Sequence, residues 1–173
     1  MKHRTVIAIL SILLSCLIIL FGCKKNPEGD LELTRGMVKG DLLNMIELLS
    51  RTNDQIQRDF QSGFSSLASA RAMDFINMVS LMQRSLEWQS MTEATVYGYA
   101  GIRHGFTSPF EDISEQLGQM VLGEMAAING YAPRGGAIPD AETVRATHEE
   151  IANRLSRIQV RLKSMPYPIP SEK

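Results

Sequence analysis

The 173 residues carry 18 Lys or Arg against 19 Asp or Glu, a net charge of −1, and no basic stripe, which argues against a nucleic-acid binder. The two cysteines, Cys16 and Cys23, are too few for a disulfide framework or a Cys-ligated metal centre. The length suits one domain with a sizeable core.

Lys2, His3 and Arg4 form a basic tip, Thr5 to Phe21 an apolar run, and Gly22 a small residue before Cys23. That three-part layout is a secretory signal, with its tip on the cytoplasmic side and the remaining chain exported. The four residues Leu20-Phe21-Gly22-Cys23 resemble the lipobox of bacterial lipoproteins, with Phe21 standing where a smaller residue is usual. The resemblance implies that residues 1–22 are removed and that Cys23 becomes the first mature residue, acylated with palmitate-type chains. A competing reading is an uncleaved membrane anchor, because the apolar run approaches the ~17 residues that can just span a bilayer. That reading leaves the cysteine after Gly22 unexplained. At ~0.8 kcal/mol per buried methylene one acyl chain holds marginally, whereas several on one cysteine anchor stably. By the same resemblance, Lys24 after the cysteine, rather than Asp, favours the periplasmic side of the outer membrane over the inner membrane in a Gram-negative host.

Removal of the leader takes Lys2 and Arg4 with it and leaves 151 residues, 16 basic and 19 acidic, with a net charge of −3. With Cys23 acylated no thiol remains, so the mature fold is expected to rest on burial alone. Residues 23–33 read as the lipidated cysteine and a flexible tether, since Lys24 to Asp30 is polar and broken by Pro27 and Gly29. Such a stretch reaches at most ~25 Å, which keeps the body near the membrane.

A helical domain is predicted over residues 34–165. In the first helix, from about Thr34 to Gln61, the residues Leu42, Met45, Ile46, Leu49, Ile56 and Phe60 recur at spacings of three, four and seven. Gly36 and Gly40 should fray its first turns, and Gly63 ends it. The second helix starts near Ser65 and alternates four and three through Ala68, Ala72, Phe75, Val79, Met82 and Leu86, with Trp88 and Met91 expected to close the seam. Thr92 to Thr107 interleaves Gly98, Gly101 and Gly105 with Tyr97, Tyr99, Arg103, His104 and Phe106, and reads mostly as a connector.

Ser108-Pro109-Phe110-Glu111 is a start signal, with Ser as N-cap, Pro at the first helical position and Glu at the third. The third helix shows the face Phe110, Ile113, Leu117, Met120, Val121, Met125 and Ile128 before Asn129-Gly130 stops it. After a loop from Tyr131 to Pro139, Asp140 caps a fourth helix in which Val144, His148, Ile151, Leu155, Ile158, Leu162 and Met165 keep the four-three alternation. Pro166, Pro168 and Pro170 end it, and residues 166–173 are expected to form an extended, Pro-rich tail.

The fold class is therefore all-α: an antiparallel up-down-up-down four-helix bundle after a cleaved lipoprotein signal peptide. In that topology the Gly63 turn and the Tyr131–Pro139 loop lie far from the membrane, and the Thr92–Thr107 segment and the tail lie near it.

The glycine-rich, aromatic connector, with Tyr97, Tyr99, Arg103 and His104 as candidate partner-binding residues, offers an adaptable backbone, contact area and a cation. His148 is the one polar residue on the fourth seam, at a height similar to Met73 and Met125, which raises a second reading: a His/Met site for a metal or haem, as in the four-helix cytochromes. Covalent haem attachment has no Cys-x-x-Cys-His to use. Glu111, Asp112, Glu115, Glu149 and Glu150 fit solvated faces and helix N-termini better than acid-base pairs, and no Glu-x-x-His motif of the di-iron bundles occurs. No catalytic residue, metal ligand or cofactor is assigned. The expected role is that of a non-enzymatic, membrane-anchored lipoprotein acting as a protein-interaction or scaffolding module of the cell envelope, one that scaffolds, pilots or inhibits another envelope protein.

Overall fold

The computed structural model describes residues 27–99, 108–131 and 140–169. They form four helices: α1 (Pro27–Gln61), α2 (Ser65–Tyr99), α3 (Glu111–Tyr131) and α4 (Ala141–Ser164). The principal packing is of α1 on α2 and α4, and of α3 on the same two, so the four close around one apolar core as a helical bundle. Among the described residues there is no strand, and no helix is long and apolar enough to cross a membrane.

Helix α1 begins seven residues before Thr34, so residues 27–33 belong to the helix rather than to a flexible tether. Pro27 opens the helix instead of breaking it, because a first-turn position needs no amide and suits the fixed φ of proline. Asp30 favours the N-terminal dipole, Thr34 Oγ1 donates to the Asp30 carbonyl at 2.8 Å, and Leu31 is buried. Gly40 is where the chain after α4 returns: the Ile169 Cγ2 atom stands 3.1 Å from where a Cβ at position 40 would be.

A short turn through Gly63, whose φ of 82° is in the left-handed region, joins α1 to α2. Asp59 and Arg71 lie 2.7 Å apart across this turn, with Gln55 Nε2 donating to the other Asp59 oxygen at 2.7 Å. Helix α2 then runs through Thr92 to Tyr99, the first half of the segment expected to be mostly connector. The hydroxyls of Thr92 and Thr95 donate to the carbonyls four residues back, and Glu93 is fully buried. Gly98 costs only ~1 kcal/mol against Ala, too little by itself to end the helix.

The expected core faces hold over most of their length. All seven named positions of the fourth seam are buried, as are the six named from Ala68 to Leu86 on α2 and the four from Phe110, just ahead of α3, to Met120. Three positions turn outward. Trp88 and Met91 do not close the α2 seam; they are 67% and 64% exposed, and the seam continues through Gln89 and Glu93. Likewise Met125 turns outward, and the α3 seam continues through Glu124 and Ala127. The four-three register is kept in both helices, with polar residues in the inward positions.

Ser108 Oγ accepts from the Phe110 amide at 3.3 Å at the head of α3, and Asp140 accepts from the Thr143 amide at 3.1 Å at the head of α4. The described part of the tail is not detached. Lys39 Nζ donates to the carbonyls of Met165 (2.8 Å) and Tyr167 (3.0 Å), and the Tyr167 ring lies 6.4 Å from that of Phe110. A cation at these carbonyls also suits the negative end of α4.

Candidate functional site

Six polar side chains sit on inward seam positions and form two clusters separated along α1 by 18 residues, about 27 Å at 1.5 Å per residue. The first cluster joins the opening turns of α1 to the last turns of α2 and to the chain after α4. Arg35 donates to Glu93 Oε2 through Nη2 at 3.0 Å and Nε at 3.3 Å, and Gln89 Nε2 donates to Glu93 Oε1 at 3.0 Å. Arg35 Nη1 also donates to the Tyr167 hydroxyl at 3.2 Å, and the guanidinium carbon lies 5.4 Å from that ring's centre. Both members of the pair are buried, so their charges face one another in a medium that screens poorly.

The second cluster is built on His148. Its Nδ1 lies 2.6 Å from Asn53 Oδ1, and Asn53 Nδ2 donates to the His148 backbone carbonyl at 3.2 Å. The second bond fixes which way the amide points, so the oxygen faces the ring and Nδ1 carries the proton. In that tautomer Nε2 is unprotonated, and it faces Glu124 Oε1 at 3.9 Å, beyond hydrogen-bonding distance. Burial pushes the His148 pKa down to about 4, so the ring is neutral at pH 7 even with a carboxylate near it.

Of the residues expected to bind a partner, two fall at the same end as the Arg35–Glu93 cluster. Tyr97 and Tyr99 belong to the last turn and a half of α2, a few residues past Glu93, while Arg103 and His104 lie outside the described residues, as does Cys23. Beside this end a cleft of about 500 Å³ opens between α2 and α3, lined by Leu86, Glu87, Met91, Ser108 and Phe110. The structure does not bring together the His/Met set. Met73 and Met125 are 48% and 56% exposed while His148 is enclosed, and the groups facing the imidazole are an amide and a carboxylate. Among the described residues no three His, Cys, Asp or Glu side chains are placed to share a metal ion.

Arg35, Lys39, Asn53, Gln89, Glu93 and Glu124 were not singled out from the sequence. The signal that finds them is the register itself: continuing α2 by three and four from Leu86 lands on Gln89 and Glu93, and continuing α3 by four from Met120 lands on Glu124. No protein-family model, no curated protein and no solved structure matches the chain.

Two measurements check this account. Glu93→Ala leaves the buried guanidinium without its carboxylate and is expected to lower unfolding free energy by about 3–5 kcal/mol in urea titration, while Arg35→Met with Glu93→Leu recovers most of the loss. For His148, the folded pKa lies below the unfolded value of 6.5, so the unfolded chain binds more protons between those limits. Its contribution is full above pH 6.5 and is lost as pH falls toward about 4, with a slope of about 1.4 kcal/mol per pH unit that His148→Gln should remove.

Proposed function

We propose that this chain is an extracytoplasmic lipoprotein, acylated on Cys23 and held at an envelope membrane, which acts as a non-enzymatic interaction module for another envelope protein. The observation that carries the reading is the sequence Leu20-Phe21-Gly22-Cys23 at the end of a basic-then-apolar leader. The periplasmic side of the outer membrane is the location favoured by Lys24. The reading gives no role to cofactors or nucleic acid.

The helices of this module run up-down-up-down. Support comes from which ends meet: Arg35 near the start of α1 pairs with Glu93 near the end of α2, and Lys39 reaches the carbonyls that follow α4. Phe110, at the head of α3, stacks near Tyr167 at the same end. Tyr97 and Tyr99, at the end of α2, are therefore at the end nearest the acylated cysteine, where a partner lying in or on the membrane is within reach of the connector, for which Arg103 and His104 are the further candidates.

The test has two arms in the intact protein expressed in a Gram-negative host. Intact-mass analysis should show a chain beginning at Cys23 with several acyl groups, and Cys23→Ser should keep its leader and incorporate no palmitate label. A photo-crosslinking residue at Tyr97, Tyr99, Arg103 or His104 should then join one envelope protein reproducibly, whereas the same residue at Arg157 on α4 should not. An unmodified thiol removes the anchor; identical crosslinks from both sites remove the connector as the recognition surface.

A further inference from the structure

Helix α2 is apolar on two sides. Its inward seam is buried in the bundle, yet the opposite side also presents large apolar groups to solvent: Met73, Leu81, Trp88 and Met91. At 100° per residue these four fall within an arc of about 80°, and they extend for about 27 Å along the helix. From Ser66 to Thr95 the same arc contains one charged residue, the cation Arg84. The outward positions of α4 differ in kind, with Arg145, Glu149, Glu150, Arg157 and Arg161 all exposed. A helix apolar on both sides is normally covered on both.

The length of chain ahead of α1 names what covers it. Cys23 precedes the first residue of α1 by four residues, which span at most about 14 Å. An acylated Cys23 therefore holds the start of α1 close to the lipid surface. Were the bundle to stand on its end, Trp88 would be lifted about 20 Å from that surface, the rise of the eight residues from Pro27 to Arg35 and of the five from Glu93 back to Trp88. With the bundle lying on α2, the start of α1 is raised by about one interhelical distance, 8–10 Å, which the short link spans.

We propose that the outward face of α2 from Met73 to Met91 rests on the lipid bilayer, with Trp88 at headgroup level. This inference rests on the acylation of Cys23. Tryptophan and flexible apolar side chains suit that depth, and Arg84 suits the phosphates beside it. The contact is weak by itself and is made persistent by the anchor, because the link keeps the face at high effective concentration at the surface.

Trp88 is the single tryptophan of the chain, so its fluorescence reports on this face alone. The full acylated protein, purified in detergent and reconstituted into phosphatidylethanolamine–phosphatidylglycerol vesicles, is measured with brominated acyl chains and with aqueous acrylamide. Since an interfacial face sinks ~5–10 Å into the headgroup and acyl boundary, brominated lipid should remove about half of the emission and acrylamide quenching should fall several-fold relative to the Leu81→Asp/Met91→Asp variant. Both positions are exposed, so the variant should keep its helical circular dichroism and still float with the vesicles while its tryptophan becomes quenchable from water. Protein that floats but shows Trp88 open to acrylamide and untouched by bromine overturns this inference and leaves the anchor standing. Shielding from both quenchers, with a dimer on crosslinking, assigns the face to a second copy and overturns it too. Protein that fails to float and lacks acyl mass overturns the acylation and the inference together.

Discussion

Burying Glu93 with its charge paired is the constraint around which one end of the bundle is arranged. A carboxylate removed from water needs a cation and further donors, and three separate parts of the chain supply them or hold them in place. Arg35 comes from α1, Gln89 from the previous turn of α2, and Tyr167, from beyond α4, accepts from Arg35 and lies beside its guanidinium. Because the acceptor Glu93 is on α2 and the donor Arg35 on α1, the pair sets the axial register of α1 against α2, which an apolar seam alone leaves freer to slide. Lys39 extends the same logic to the exit of α4, where it donates to the carbonyls of the cap residue Met165 and of Tyr167 just beyond it.

The second polar cluster plays a similar part farther along. Asn53 donates to the backbone of His148 and accepts from its ring, so α1 and α4 are registered through one amide. Between Lys39 and Asn53 the buried positions of α1 are apolar, with Leu42, Met45, Ile46 and Leu49 in one core with Val79, Leu155, Ile158 and Leu162 among others. The arrangement separates two tasks: area removed from water holds the helices together, and two buried polar sets fix how they are aligned.

Helix number and most core positions were legible in the sequence because the four-three alternation of apolar residues is unbroken from Ala68 to Leu86 and from Ile151 to Met165. The reading failed where the alternation continued through polar residues. At Glu93 and Glu124 the expectation moved to the nearest large apolar group, Trp88 with Met91 or Met125, although keeping the period would have placed the acids inside. Propensity misled at Pro27 and Gly98 for a related reason: one is harmless in a first turn, and the other costs a helix only ~1 kcal/mol against Ala. Whether a buried acid is tolerable depends on a partner 58 residues away, as for Arg35 and Glu93, and local pattern does not contain that information.

Helices α1 and α2 are each 35 residues long and meet in one tight turn, with a polar cluster near each end of α1. Two rods of equal length pinned at both ends tolerate exchange of side chains far better than a change in residue count. One residue added between Arg35 and Asn53 would swing everything beyond it by about 100° and bring solvent-facing groups to the positions of the buried ones. Seven residues added to both rods would restore the facing to within about 20° while lengthening the body by two turns. Related chains that differ in size should therefore differ in paired steps of whole heptads, or in the segments outside the rods.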